Sequence, residues 1–458
     1  MVTLMEWSKL LSRRRMGDNP LNSETEIQAQ NRTAFQRDFD RVVFSSSFRR
    51  LKDKTQVFSL FNNDYVRNRL IHSLESSCVG RSLGTIVGEE IIKRHKNLRN
   101  HKDEFINYTA SDFGDIVAAA CLAHDIGNPP FGHTGEDAMR EWFKSDRAVN
   151  VLNQLNLHQQ TDLMRFEGNA QGFRIITQKE RQADRIGMQL TYATLGTFTK
   201  YPRESLIQSQ VFQQYKGKST IKHGFFQAEK ELVNDIADTV GLIRRDQTSA
   251  WWCRHPLVFL VEAADDICYH IVDLEDGFRM GYIAYDDART LLSDILNNEG
   301  LNNLGCDQQD NIKYLRSKVI HQLILEVAQI FLDYETKLLS GKFDEPLTAV
   351  IPSANKLDDI IELTRKQVYE SCEVIEVKVA GYQVLGGLLE EFVTAINNNL
   401  SKSYLIKKLL PNFKEEDEKL DLYKKILKVT DYISGMTDSY AVSVFKKIKG
   451  ISLPGGGR

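Results

Sequence analysis

Along most of this chain apolar positions recur at the three- and four-residue steps of helices that bury one face. Between residue 311 and about residue 339 the pattern runs through Ile312, Leu315, Val319, Ile320, Leu323, Ile324, Val327, Ile330 and Phe331, which predicts one long amphipathic helix. A second is predicted by Leu70, Leu74, Cys78, Leu83 and Val87, with those side chains as its buried stripe. Pro256 suits the first turn of a third, whose buried side is marked by Val261, Ala264, Ile267, Cys268 and Ile271. The run 116–123 is too rich in alanine for a comfortable strand. With Ser111 or Asp112 as its cap and Gly127, Pro129 and Pro130 as its stop, it predicts a helix whose last turn holds His124 and Asp125. Shorter helical patterns cover residues 33–44, 356–370 and 385–397. In 374–379, Ile375, Val377 and Val379 alternate with Glu376 and Lys378, the period of a short strand. The expectation is a mainly α fold with minor β elements: an N-terminal arm (1–60), a helical core (61–290) and a mainly helical C-terminal region (291–458) packed on it. Nine prolines and no Ser/Gly-rich linker argue against separable domains.

The polar positions inside these patterns carry the chemistry. His72, His124, Asp125 and Asp265 fall on three predicted helices, and two imidazoles with two carboxylates suit a borderline-to-hard cation such as Mn²⁺, Mg²⁺, Fe²⁺ or Zn²⁺. A cation so held polarises a phosphoryl oxygen and acidifies a bound water. A His-Asp pair by itself arises by chance, so its surroundings matter. Ionisable groups at the end of an apolar helix are costly unless paired or metal-bound. The following stretch, 131–136, is expected to be a tight Gly-rich loop that returns His133 and Glu136 over the site. Arg69 lies three residues before His72, where it could meet a phosphate or remain a solvated surface arginine. Asp265, Tyr269 and Asp273 follow at four-residue steps as one polar column, which suits a structural hydrogen-bond ladder, or ligation at one end and recognition of a sugar hydroxyl further along. Asp266 remains an alternative ligand.

Composition narrows the class without choosing a substrate. The chain has 458 residues, 42% hydrophobic and 26% charged, enough for a large core. It shows neither the roughly 20 apolar residues of a membrane span nor a charged-then-apolar leader, so a cytoplasmic location is expected. Six scattered cysteines without Cys-x-x-Cys spacing read as reduced thiols, mostly buried. A formal charge of −3 does not suggest nucleic-acid binding, although Arg13-Arg14-Arg15, Arg49-Arg50-Leu51-Lys52 and Arg67-Asn68-Arg69 are locally basic.

Segments 48–58, 69–75, 124–136, 166–174, 190–195, 198–202, 262–276 and 434–438 together resemble the deoxyguanosine-triphosphate triphosphohydrolases, and more broadly the dNTP triphosphohydrolases, of the HD-domain superfamily. All but the last lie within residues 30–280, are spread across most of that stretch and come in the expected order. The resemblance implies an HD-domain helical bundle with one divalent metal ion, Mn or Mg first and Fe, Co or Zn as alternatives, on His72, His124, Asp125 and Asp265. It implies that His133 is the catalytic histidine with Glu136 as its partner, that Arg69 meets the α-phosphate, and that Tyr269 and Asp273 recognise the sugar. Gln56 matches a residue that reaches the nucleoside. Lys200, Tyr201 and Lys222 match phosphate-facing positions, although Lys222-His223-Gly224-Phe225 departs from the commoner pattern. Asn169 and Arg174 lie in a family motif near the pocket. The implied reaction is hydrolysis of dGTP or other dNTPs at the α-phosphorus to deoxynucleoside and inorganic triphosphate. A ring-shaped homohexamer and a dNTP or single-stranded DNA effector are also implied, with no membrane partner. The alternatives are another HD-type nucleotidase or phosphodiesterase, or a non-enzymatic nucleotide- or nucleic-acid-binding regulator. The latter is disfavoured because the metal quartet and His133 are all present.

Overall fold

Small residues decide how the two central helices meet. The computed structural model describes residues 3–17, 32–56, 67–99, 107–180, 185–299, 304–398, 400–411 and 413–452. Val57 and Phe58, which belong to the sequence patterns above, lie outside them. The principal helices are α1 (Ala34–Phe44), α2 (Arg69–Arg94), α3 (Ala110–Ala123), α4 (Gly132–Lys144), α5 (Gly168–Thr177), α6 (Tyr192–Phe198), α7 (Val258–Arg279), α8 (Gln308–Asp333), α9 (Ala354–Thr364), α10 (Cys372–Asn397), α11 (Leu422–Ser434) and α12 (Asp438–Ile448). Two two-residue strands, β1 (Lys179–Glu180) and β2 (Arg185–Ile186), pair antiparallel, with Lys179 opposite Ile186 and Glu180 opposite Arg185.

The predicted stripe on α2 is only half right. Leu83 and Val87 are buried, but Leu74 and Cys78 are exposed and Leu70 is half-buried. The buried face is instead Ser73, Ser76, Ser77, Gly80, Gly84 and Gly88, because α2 lies almost against the backbone of α3. A Cβ on Gly84 would come within 2.7 Å of the Phe113 carbonyl oxygen, and one on Gly80 within 2.6 Å of Cys121 Sγ. The cap of helix α3 is Thr109, two residues before Ser111 and three before Asp112. Thr109 accepts from the Asp112 N–H, and the Asp112 carboxylate accepts from the Thr109 N–H at 2.8 Å. Thr33 caps α1 in the same way. Pro256 stands in the turn before α7 rather than inside its first turn.

The strand expected at 374–379 is the beginning of α10. Ile375 and Val379 are exposed, so no face carries all three alternating apolar residues. Val374, Gly381, Leu385, Leu388 and Phe392 form one helical stripe, which becomes visible only over a window longer than the six residues of the apparent alternation.

Two apolar cores result. The larger joins α2, α3, α7 and α8 through residues such as Leu83, Val117, Ile267, Leu315 and Val327. The second joins α4 to α10, α11 and α12 through Met139, Phe143, Leu388, Phe392, Ile433 and Ala441. Each core draws on residues from both sides of position 290. The stretch 124–131 therefore leaves the first core and enters the second. Among the described residues no helix is long and apolar enough to cross a membrane. All six cysteines are free; Cys121, Cys253 and Cys268 are buried, and Cys78, Cys306 and Cys372 are exposed.

Candidate active site

Where the first core ends, α2, α3 and α7 bring His72, His124 and Asp265 together. One ligand atom from each lies within 4.8 Å of the others. His72 Nε2 is 2.9 Å and His124 Nε2 is 3.5 Å from Asp265 Oδ1. His124 directs Nδ1 to the Cys121 carbonyl at 2.6 Å, which leaves Nε2 for the cluster. Burial opposes charge on Asp265, but His124 and His72 hold its carboxyl well below the usual range. Burial likewise pushes the His124 imidazole down, yet Asp125 and Asp265 carry it up to about 9.

Asp125 stands at the edge of this group. Its Oδ1 is 3.6 Å from His124 Nε2 and accepts from Arg69 Nη1 at 2.7 Å. Its Oδ2 is buried and has no hydrogen-bond partner. An unpaired buried carboxylate oxygen beside two imidazoles and a second carboxylate is the donor set a divalent cation needs, so these residues fit the metal. Asp266 points away and accepts from Thr348 Oγ1 at 2.6 Å.

The cluster lies in the wall of a cavity of about 680 Å³. Arg69, Gln56, His133, Asn169, Lys200, Tyr201, Lys222 and Tyr269 share that wall. Gln56 Oε1 is buried without a hydrogen-bond partner. Lys200 is 3.2 Å from Glu262, and Lys222 is 3.0 Å from Glu167. Burial disfavours both ammonium groups, but these carboxylates, with Glu136 for Lys222, hold their pKa values above normal.

His133 is on a helix, not in the expected loop. It is the second residue of α4, which the chain enters through two successive left-handed residues, Phe131 (φ 63°) and Gly132 (φ 58°). For Phe131 that conformation costs about 1–2 kcal/mol, so surrounding contacts must hold it. Glycine suits position 132 because of that left-handed φ, and a Cβ there would also come within 2.6 Å of Arg69 Nη2. The His133 side chain is 74% exposed into the cavity mouth, with Nδ1 2.8 Å from Glu136 Oε2. Glu136 is buried and also accepts from the Gly168 N–H at 2.6 Å. Burial raises the pKa of its carboxyl, but the His133 bond, Lys222 and Arg140 bring it below normal.

Two residues expected near the substrate do not line the cavity. Arg174 is buried between Asp431 (2.7 Å) and Glu229 (2.6 Å), where it ties α5 to α11, so its guanidinium is already committed. Asp273 accepts from the Tyr369 hydroxyl at 2.6 Å, and burial pushes its carboxyl up to about 8. It is Tyr369 that reaches the cavity, beside Tyr269 with ring centroids 5.8 Å apart. Parts of the basic runs are likewise engaged in ion pairs. Arg14 pairs with Asp235, Arg15 with Asp38, and Arg67 with Glu75, Glu275 and Asp276. Sequence reasoning missed Tyr369, Lys378 and Tyr382 in the cavity wall. It also missed Lys54, a buried amine brought down to about 7 by burial, which donates to the carbonyls of Asn128 (2.6 Å) and Ser434 (2.7 Å). Nothing in a single sequence marks Lys54, since its partners are backbone atoms.

Residues 69–164 match the family model of the HD domain, and residues 352–447 match that of a phosphohydrolase-associated domain. The chain is 50% identical over 456 residues to the deoxyguanosinetriphosphate triphosphohydrolase-like protein of Synechocystis sp., an alignment covering 98% of this chain and 100% of that one. It is 38% identical over 462 residues to the protein of the same description in Pseudomonas aeruginosa, with 98% and 100% covered. Against the deoxyguanosinetriphosphate triphosphohydrolase of Yersinia enterocolitica the identity is 29% over 518 residues, covering 97% and 99%.

Proposed function

Because the chain belongs to the deoxyguanosinetriphosphate triphosphohydrolase-like family of HD-domain proteins, we propose that it hydrolyses 2′-deoxynucleoside 5′-triphosphates at the α-phosphorus, releasing deoxynucleoside and inorganic triphosphate. The observation that carries this reading is the buried donor set His72, His124 and Asp265, with the unpaired Asp125 Oδ2, in a cavity that also presents Arg69, Lys200, Lys222 and His133. A divalent cation on those four residues would acidify a water and offset phosphate charge.

The chain's own groups supply the rest. Arg69, fixed by Asp125, is placed to neutralise the α-phosphate, and Lys200 and Lys222 the outer phosphates. His133, oriented through Nδ1 by Glu136, presents Nε2 as the proton donor to the departing 5′-oxygen. Gln56 faces the nucleoside with its unpaired Oε1. Tyr269 packs against the sugar, and Asp273 acts there by holding the Tyr369 hydroxyl, so the two phenols crowd a 2′-hydroxyl. The cavity falls within the roughly 300–1,000 Å³ usual for small-molecule sites.

The test incubates metal-stripped and Mn²⁺- or Mg²⁺-reloaded protein with each dNTP and rNTP, singly and mixed, and separates the phosphate products. The mixture matters because one nucleotide can activate cleavage of another. Metal-dependent release of triphosphate from dNTPs, with rNTPs spared, is the expected result. Nucleoside monophosphate or diphosphate as product would favour another HD-type phosphohydrolase, and binding without cleavage a regulator. A homohexamer and a dNTP or single-stranded DNA effector belong to the same proposal, and sedimentation with and without each ligand tests them.

A further inference from the structure

The tail segment 434–438 is far in sequence from every cavity-lining group named above, yet it bonds to two residues of the cavity wall. Asp438, the first residue of α12, is 2% exposed. Its Oδ1 accepts from the Phe131 N–H at 3.0 Å, and its Oδ2 accepts from both the N–H (3.0 Å) and the hydroxyl of Thr55. Thr55 adjoins Gln56 in the cavity wall, and Phe131 is the left-handed residue that launches α4 two positions before His133. A second strap runs beside it: Lys54 Nζ joins the Asn128 carbonyl to the Ser434 carbonyl. Gly381 of α10 leaves room for the Phe131 ring, since a Cβ there would be 3.0 Å from it. The Phe131 turn is thus held by its N–H, its ring and the strap behind it.

We propose that Asp438 is a positioning residue for the reaction set out above: one carboxylate fixes the spacing between the Gln56 wall and the turn that aims His133. The inference rests on the reading of His133 as the proton-transfer group. Asp438 differs from a merely stabilising buried acid in that its arms go to two separate segments of the chain that line the substrate cavity, at Thr55 and at Phe131. Its loss must therefore lower turnover through His133 and leave the metal in place.

The experiment is a double-mutant cycle on the full-length, metal-loaded protein. Asp438→Asn keeps the shape but turns an amide N–H toward one of its N–H partners and breaks that arm. The expected result is a fall in kcat on the order of 10- to 10²-fold, with stoichiometric metal and KM within about twofold of wild type. In a His133→Ala background the same substitution should change kcat by less than about twofold, because both act through one group. Losses that multiply across the cycle, loss of metal, or an unchanged kcat overturns the proposal. If Asp438→Asn does not fold, Thr55→Val removes only the hydroxyl arm and enters the same cycle, with a smaller loss expected and the same criteria. Should the wild-type protein cleave no nucleotide, that result falls on the proposed reaction. Positioning is then read from protein labelled with ¹³C-histidine. The His133 resonance must shift in Asp438→Asn while those of His223 and His255 stay, and an unmoved His133 resonance overturns it.

Discussion

Gly84→Ala should destabilise the protein although it replaces a helix-weakening residue with the best helix former. The added Cβ would lie 2.7 Å from the Phe113 carbonyl oxygen and 2.9 Å from Gly114 Cα, all backbone of α3. No side-chain rotation relieves such contacts, so α2 and α3 must separate by roughly 0.7 Å to reach the close limit of ordinary packing. Overpacking of this kind costs about 3 kcal/mol at the upper end of its usual range. Helix propensity returns about 1 kcal/mol, leaving a net loss of about 2 kcal/mol. Gly386→Ala is the internal control: it sits within α10 and a Cβ there meets nothing within 4 Å, so the same chemistry should stabilise by about 0.5–1 kcal/mol. Because α2 carries His72 and α3 leads into His124, the forced separation should also weaken metal binding, which Gly386→Ala leaves alone. Urea titrations give the stabilities and competition with a chelator gives the metal affinity. Equal signs for the two substitutions, or undiminished metal affinity in Gly84→Ala, would refute the close-packing argument.

Asp265→Ala should lose bound metal and hydrolysis, whereas Asp266→Asn should keep its metal because Asp266 is engaged with Thr348. Metal analysis of the two proteins checks this, and the opposite pattern would exchange their roles. His133→Ala should retain metal and nucleotide binding while turnover falls on the order of 10²-fold or more. Glu136→Gln keeps the Gly168 bond but loses the anionic partner of the imidazole, so a smaller loss and a shifted pH–rate profile are expected; rapid-quench rates beside calorimetric binding decide between them. Burial raises the Asp162 carboxyl from 3.8 to about 6, despite bonds from Gln227, Ser205 and Tyr423. The folded state therefore holds a proton that the unfolded state releases, and stability from this group is full below pH 4 and is lost as pH rises through about 6. Measured from pH 4 to 7.5, wild type should lose roughly 2 kcal/mol relative to Asp162→Asn, and a constant difference would contradict the assignment.

The helices and the candidate metal ligands that the fold brings together were legible because each leaves a local trace. The 3.6-residue period marks α7 and α8, and a His-Asp pair at the end of an alanine-rich helix marks the centre of the site. What was not legible depends on distant partners. On α2, leucine spacing pointed to Leu74 and Cys78 as buried, but close approach of α3 selects serines and glycines for that face, and hydrophobicity does not register them. The alternation at 374–379 is real, yet its residues belong to a longer helical stripe that the second core requires. His133 looked like a loop residue because two glycines flank it, whereas Gly132 takes the left-handed turn into α4, which begins at once. Arg174 is polar and inside a family motif, but only the fold reveals that Asp431 and Glu229 already engage it. Tyr369 reaches the cavity from a segment nearly a hundred residues beyond Asp273, with no spacing in the sequence to connect them.

Hydrolysis in H₂¹⁸O tests the central proposal most directly. Water attack at the α-phosphorus places one ¹⁸O in the inorganic triphosphate and none in the deoxynucleoside, as mass spectrometry of the separated products would read. Label in the deoxynucleoside 5′-hydroxyl would mean attack at carbon. Label in a nucleotide or in pyrophosphate would mean cleavage elsewhere in the chain of phosphates, and either result would contradict the account.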